Sequence, residues 1–187
     1  IIACGVMLAT GGNAFVAKKL GEKRELEACE DFTVLLITSI LTGIAVMALG
    51  LLFLEPVVRL LGSTDILLDD CMTYLRFTLY FAPACMLQLF FQTFFVTAGK
   101  PSYGLILICA GGVCNIILDY VFMGPLGLGV AGAAVATGIG QLIPAIAGIL
   151  YFLFIRKNLF IVKPVLHRAT LVKSCTNGSS EMVTNIS

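Results

Sequence analysis

Between Lys100 and Arg156 the chain carries one charged side chain, Asp119, in a run of Leu, Ile, Val, Phe, Ala and Gly too long and too apolar for the core of a soluble domain. Such a run belongs in lipid, where every backbone N–H and C=O must be satisfied within the chain. That leaves helices or closed barrels. Composition extends the argument to the whole sequence. Hydrophobic residues make up 59% and charged residues 12%, whereas a globular domain is roughly half apolar and a quarter charged. The net charge of +1 supplies no basic field, and no aromatic-plus-basic patch is present, so nucleic-acid binding is set aside.

Uncharged stretches of about 20 residues, enough to cross a hydrocarbon core of about 30 Å, occur five times. They are Ile1 to Ala17, Phe32 to Leu54, Phe77 to about Ala98, Pro101 to Met123 and Val130 to Ile155. The last two are separated by the helix-breaking turn Gly124-Pro125-Leu126-Gly127. The first starts at full hydrophobicity with no basic leader, which reads as a chain cut within a span and not as a signal peptide. The expected fold is all-α, a polytopic helical bundle.

Short cytoplasmic loops retain Lys and Arg. Five spans put Lys18, Lys19, Lys23, Arg24, Lys100, Arg156, Lys157, Lys163, Arg168 and Lys173 on one side, and only Arg59 and Arg76 on the other. The first side is assigned to the cytoplasm. Seven cysteines, most of them inside the apolar spans and none in a C-x-x-C pair, read as small hydrophobes. His167 has no acid or thiol at ligand spacing, which argues against a metal centre. The sequons at Asn177 and Asn185 fall on the cytoplasmic side or enter a span and are read as chance.

Gly132, Ala136, Gly140, Pro144 and Gly148 recur every four residues, a stripe that lets another helix approach closely. Pro83 and Pro144 should kink their spans. Gln88 and Gln92 stand at i, i+4 among Phe90, Phe91, Phe94 and Phe95. The glutamines either bond to neighbouring helices beside lipid-facing rings or belong to a cavity wall suited to flat apolar cations. The mixed-charge run Glu22 to Asp31 reads as a solvated helix.

An acid on a membrane helix costs about 2.5 to 3.5 kcal/mol near the bilayer centre on insertion scales, so it tends to face a protein interior or a cavity on an ion or substrate path. Asn115 lies one turn before Asp119 on the same face. The alternative is an interfacial cap, since Asp119 falls about 27 Å along a helix begun at Pro101. Val121, Phe122 and Met123 continue the apolar run beyond it.

Several segments together resemble the multidrug and toxic compound extrusion (MATE) transporters. Gly11-Gly12-Asn13-Ala14 with Ala17-Lys18-Lys19-Leu20-Gly21 resembles the family's second helix and its cytoplasmic exit. Ala98-Gly99-Lys100-Pro101 resembles the turn between helices four and five, and Asn115-Ile116-Ile117-Leu118-Asp119 resembles helix five. The run from Gly129 to Thr137 resembles the start of helix six.

The resemblance implies a lobe of a twelve-helix, two-lobe transporter working by alternating access. Residues 1–155 would supply helices two to six of the first lobe, 156–176 a cytoplasmic linker and 177–187 the start of the second lobe, with helix one and most of the second lobe missing. It implies a cation site at Asn115, Asp119 and Thr137, whose amide oxygen, carboxylate and hydroxyl suit sodium, and whose acid can take a proton instead. Sodium or protons would be the coupling ion and no other cofactor is expected. Gln88, Gln92 and Gln141 are expected in the substrate cavity. The implied function is export of amphipathic, often cationic, compounds across the cell membrane by cation antiport.

Three alternatives remain. A lipid-linked sugar flippase of the same superfamily would be expected to carry several Arg in its cavity, and the spans hold none beyond Arg76 at a mouth. An intramembrane enzyme would need a nucleophile with a base, or paired acids, and the spans offer no His and no second carboxylate, so the chain is not expected to be an enzyme. A structural membrane protein would leave Asp119 interfacial. The orientation has a direct test: membrane-impermeant thiol reagents should label Cys71 in intact cells and reach Cys29 and Cys175 only after permeabilisation. External labelling of Cys29 would overturn the assignment.

Overall fold

A computed structural model describes residues 2–60, 67–155 and 159–163. Among the described residues seven helices follow one another: α1 (Ile2–Gly21), α2 (Glu25–Leu52), α3 (Leu54–Leu60), α4 (Leu68–Tyr80), α5 (Ala82–Thr97), α6 (Pro101–Met123) and α7 (Gly129–Phe154). Among the described residues α2, α6 and α7 are each long and apolar enough to cross a membrane, and the bent pair α4 and α5 makes a fourth such unit. The first expected span is a helix of 20 residues, but it falls short of that apolarity. Gly11, Gly12 and Asn13 in its middle and Lys18 and Lys19 in its last turn dilute it.

The third span departs from expectation. It begins at Leu68, not Phe77, and is two helices meeting at 52°. Pro83 accounts for the break: it has no N–H to offer the Leu79 carbonyl, and its ring crowds that turn. The helical ladder resumes with the Cys85 N–H donating to the Phe81 carbonyl at 2.9 Å. Pro144 does not interrupt its helix, for α7 runs continuously through it. The carbonyl of Gly140, which Pro144 leaves without a partner, lies directly against Gly111 of α6.

α5 is the hub of the bundle, packed on α1, α2, α6 and α7. Its phenylalanines correct both readings offered for them. Phe90, Phe91, Phe94 and Phe95 are fully buried, with Phe32 of α2 and Phe152 of α7, and face neither lipid nor a cavity. Phe90 stacks on Phe94 with ring centres 4.3 Å apart, and Phe32 meets Phe152 at 4.8 Å. The alternation of aromatic and small residues explains the fit: Phe91 occupies the space where Gly148 of α7 has no side chain. The whole stripe Gly132, Ala136, Gly140, Pro144 and Gly148 is buried, as helix packing requires.

The end of the bundle that carries Lys18, Lys19 and Lys100 is closed by polar ties. Thr97 of α5 donates a hydrogen bond to Asn13 of α1. Asp31, expected in a solvated helix, is instead wholly buried in the second turn of α2 and paired with Lys19, whose ammonium also lies 3.6 Å from Glu27 and 4.9 Å from the centre of the Phe15 ring. Residues 159–163 cross this end. The Ile161 N–H donates to the Phe152 carbonyl at 3.2 Å and the Val162 N–H to Thr33 Oγ1 at 3.1 Å, while Leu159 joins the core. Cys29 is buried beneath them, so the thiol expected to react after permeabilisation is shielded in the folded chain. His167, Cys175, both sequons, the rest of the expected linker and the start of the second lobe lie outside the described residues.

α6 buries little of itself, chiefly Gly104 and Gly111, and turns Leu105, Ile106, Val113, Ile116 and Ile117 outward. Its partner is α7, reached through a turn in which Gly127 and Gly129 adopt positive φ of 60° and 54° that other residues rarely take. Two adjacent glycines on α6 give a paired test. Gly111 faces the Gly140 carbonyl, whereas a Cβ on Gly112 meets nothing within 4 Å. Thermal unfolding in detergent should show Gly111→Ala destabilised by about 1–3 kcal/mol through overpacking and Gly112→Ala unchanged or stabilised by about 0.5–1 kcal/mol through helix propensity. Equal effects would mean that α6 and α7 do not meet at Gly111.

Candidate functional site

The α6–α7 contact brings two of the predicted residues, Asn115 and Thr137, together. The bare backbone of Gly140 lets Asn115 approach: a Cβ there would lie 3.0 Å from the Cβ of Asn115. The Asn115 amide Nδ2 then donates to Thr137 Oγ1 at 3.4 Å, across the helix interface. The hydroxyl of Thr137 donates in turn to the Ala133 carbonyl of its own helix at 2.9 Å. With its proton so committed, Thr137 Oγ1 acts as an acceptor, and with its nitrogen facing Thr137, Asn115 keeps its carbonyl oxygen for another partner.

Asp119 stands one turn further along α6. Its Oδ1 is buried and has no hydrogen-bond partner. A buried carboxylate oxygen without a donor carries a desolvation penalty that native structures seldom leave uncompensated. The set expected from the sequence, one carboxylate, one amide oxygen and one hydroxyl, consists of hard oxygens of the kind a small alkali cation takes. Among the described residues no three His, Cys, Asp or Glu side chains cluster. A cation at Asp119 would therefore have to draw on neutral oxygens.

Of the predicted cavity residues, Gln141 lies one turn beyond Thr137 on α7 and lines a cavity of about 900 Å³. That cavity is walled by Ile2 and Ala3 of α1, by the far half of α2 (Val46, Leu49, Gly50) with Phe53 just after it and Val57 of α3, by Leu75, Thr78 and Leu79 of α4, and by Cys85 of α5. Gln88 and Gln92 are not among its lining residues. Gln92 is exposed on the outer surface of α5, and Gln88, one turn from Cys85, is half-buried with an unpartnered Oε1. Sequence reasoning missed Thr78, Leu79 and Gly50 as wall residues, because they come together only through the packing of α4 on α2 and α7, which no periodicity reveals. It also missed Gly111 and Gly140 as the supports of Asn115, although the four-residue stripe already marked Gly140.

This arrangement has known relatives. The MatE family model matches residues 1–121. The chain belongs to the MatE family. Among curated proteins it is similar to the multidrug export protein MepA of Staphylococcus saprophyticus, with 26% identity over 153 residues that make up 82% of this chain and 34% of the relative. It is similar also to MepA of Staphylococcus haemolyticus, with 27% identity over 84% of this chain and 34% of the relative. The chain thus spans about a third of the length of these MatE relatives.

Among solved structures, an inward-facing multidrug resistance MATE family transporter of the MOP superfamily superposes with a TM-score of 0.91 at 21% identity, over 97% of this chain and 42% of that one. A MATE crystal structure in the bent conformation gives 0.91 at 22% identity, over 99% and 42%. Those likenesses establish the fold. Together with the apolar helices, membership of the family makes this an integral membrane protein crossing the bilayer several times.

Proposed function

We propose that residues 1–155 form the first-lobe helices of a two-lobe exporter of amphipathic, often cationic, compounds, driven by antiport of sodium or protons. On this reading residues 156–176 link the lobes and 177–187 begin the second. The observation that carries it is the buried, unpartnered Oδ1 of Asp119 one turn from an Asn115 already aligned with Thr137. The names of the MepA relatives support drug export as the activity of the whole. The neutral lining of the cavity beside Gln141 suits the apolar body of such a substrate and offers no Arg for a pyrophosphate, which weighs against lipid-linked sugars.

The chain's residues act as a neutralisable site. Asn115 and Thr137 present oxygens to a cation that Asp119 attracts, and Gly111 and Gly140 let α6 and α7 approach closely enough for Asn115 to reach Thr137. Neutralising Asp119 removes the charge that opposes closing the helices around it. The ion shifts the balance of inward and outward states only by the difference in its affinity for the two.

The test is efflux from proteoliposomes holding the full-length transporter under an imposed sodium or proton gradient. Asp119→Asn should keep the thermal stability of the wild type within about 0.5 kcal/mol or raise it, since it replaces a charge with no partner. Coupled efflux should nonetheless fall by at least about tenfold, a typical coupling energy. Asn115→Ala and Thr137→Ala should each weaken the response to the ion by about tenfold, as expected for a contact to a charged group. Wild-type rates from Asp119→Asn under both gradients would reduce the residue to an interfacial cap.

A further inference from the structure

The break between α4 and α5 is gripped from two sides by glycines. The ring of Phe81 fills the space where Gly138 of α7 has no side chain, and a Cβ on Gly43 of α2 would lie 2.7 Å from the Cα of Pro83. The two helices meet there at 52°. On one side of the break, Leu75, Thr78 and Leu79 of α4 form a wall of the cavity, opposite Leu49 and Gly50 of α2. On the other, Gly138 directly follows Thr137, the residue that accepts the Asn115 amide. One ring therefore touches both the hinge of the cavity wall and the turn of α7 that belongs to the cation site.

We propose that Phe81 is a positioning residue that couples the Asn115–Asp119–Thr137 site to the cavity, by transmitting shifts of α7 at Gly138 to the hinge on which α4 swings. This rests on the cation-site reading above. With no Cβ on Gly138, the ring sits against backbone, so displacement of that turn of α7 moves the ring without slack. Pro83 has already removed the hydrogen bond that would resist bending. α4 is 13 residues long, about 20 Å, so a rotation of about 10° at the hinge carries its far end about 3 Å. Small shifts at an effector site are amplified in this way when packed elements have two discrete arrangements. The contact of Gly50 with Leu79, where a Cβ would lie 2.5 Å from Leu79 Cδ2, is the seat that α4 would leave.

The experiment uses the full-length transporter in proteoliposomes, with native cysteines replaced by alanine and spin labels at Leu52→Cys of α2 and Tyr74→Cys of α4. Both positions are exposed and flank the two cavity walls. In the otherwise wild-type protein, adding sodium or acidifying should shift the label separation, and Asp119→Asn should abolish the shift. Phe81→Ala should reduce the ion-driven change in population by about tenfold. The ion dependence of carbodiimide modification at Asp119 should stay within about twofold of wild type, a separation of binding from response that a merely structural role would not produce. Gly138→Ala, which crowds the ring, should give the same loss, and Phe81→Leu combined with it should restore part of the response. If Phe81→Ala does not fold, Phe81→Leu alone is held to the same criterion.

A wild-type shift in the Phe81 variant would overturn the coupling role. So would a label separation that ignores the ion in a protein whose ion-driven efflux still depends on Asp119, an outcome that leaves the cation site standing. If Asp119→Asn transports normally, the site reading fails and the coupling role falls with it.

Discussion

Helices surrounded by lipid gain nothing from hiding apolar side chains from one another, because the alternative neighbour is equally apolar. What holds this bundle is close fit between bulky side chains and residues that lack one. Leu35 lies on Gly12, Leu79 on Gly50, Pro83 on Gly43, Phe81 on Gly138 and Phe91 on Gly148. Each pair joins a different pair of elements or a different level of the same pair, and α5 with the break before it supplies three of the five large partners. Dispersion falls off steeply with separation, so contacts of this kind specify helix positions to a fraction of an ångström. The rest of the molecule, including the approach of Asn115 to Thr137, depends on that precision.

The fit is uneven along the bundle. At the basic end six phenylalanines are fully buried, Leu159 closes over them, and the polar groups there find partners in the Asn13–Thr97 bond, the Lys19–Asp31 pair and the Val162–Thr33 bond. Toward the other end the same helices part around a cavity, and the oxygens of Asp119 and Gln88 have no hydrogen-bond partner. Satisfied polar networks rigidify, whereas unsatisfied ones mark places that respond to something else. The division assigns rigidity to the end that residues 159–163 cross and responsiveness to the end that contains the cavity.

Most of the helices were legible from hydropathy, because runs free of charge leave the backbone no choice in lipid. The small-residue stripe on α7 was legible too, since a four-residue period admits one structural meaning. What failed depended on partners distant in sequence. Pro83 and Pro144 look alike in the sequence, yet one breaks its helix and the other does not; the carbonyl that Pro144 frees lies against the bare backbone of Gly111. The phenylalanines of α5 look like lipid-facing residues until Gly148 and Phe152 are placed opposite them. Asp31 looks solvated until Lys19, 12 positions earlier, folds over it. Asn115 and Asp119 stood out by their spacing on one helix, but the contact to Thr137 came only from family resemblance. No periodicity relates residues 22 positions apart on two antiparallel helices.

On the proposed reading, a site with a single carboxylate sets a limit on what one ion can do. A charge of this kind costs about 2.5 to 3.5 kcal/mol in a membrane helix, so neutralising it in one state and not the other biases the equilibrium by roughly a hundredfold. Reversing a two-state balance from 1:99 to 99:1 takes about 5.5 kcal/mol. The ion at Asp119 therefore tilts the lobe without reversing a fully biased balance. Antiport asks that the ion-bound and the substrate-bound carrier each cross alone, in turn and in opposite directions, while the empty carrier crosses rarely. A tilt of about a hundredfold meets the ion's half of that condition when the unloaded states differ by no more than about 3 kcal/mol.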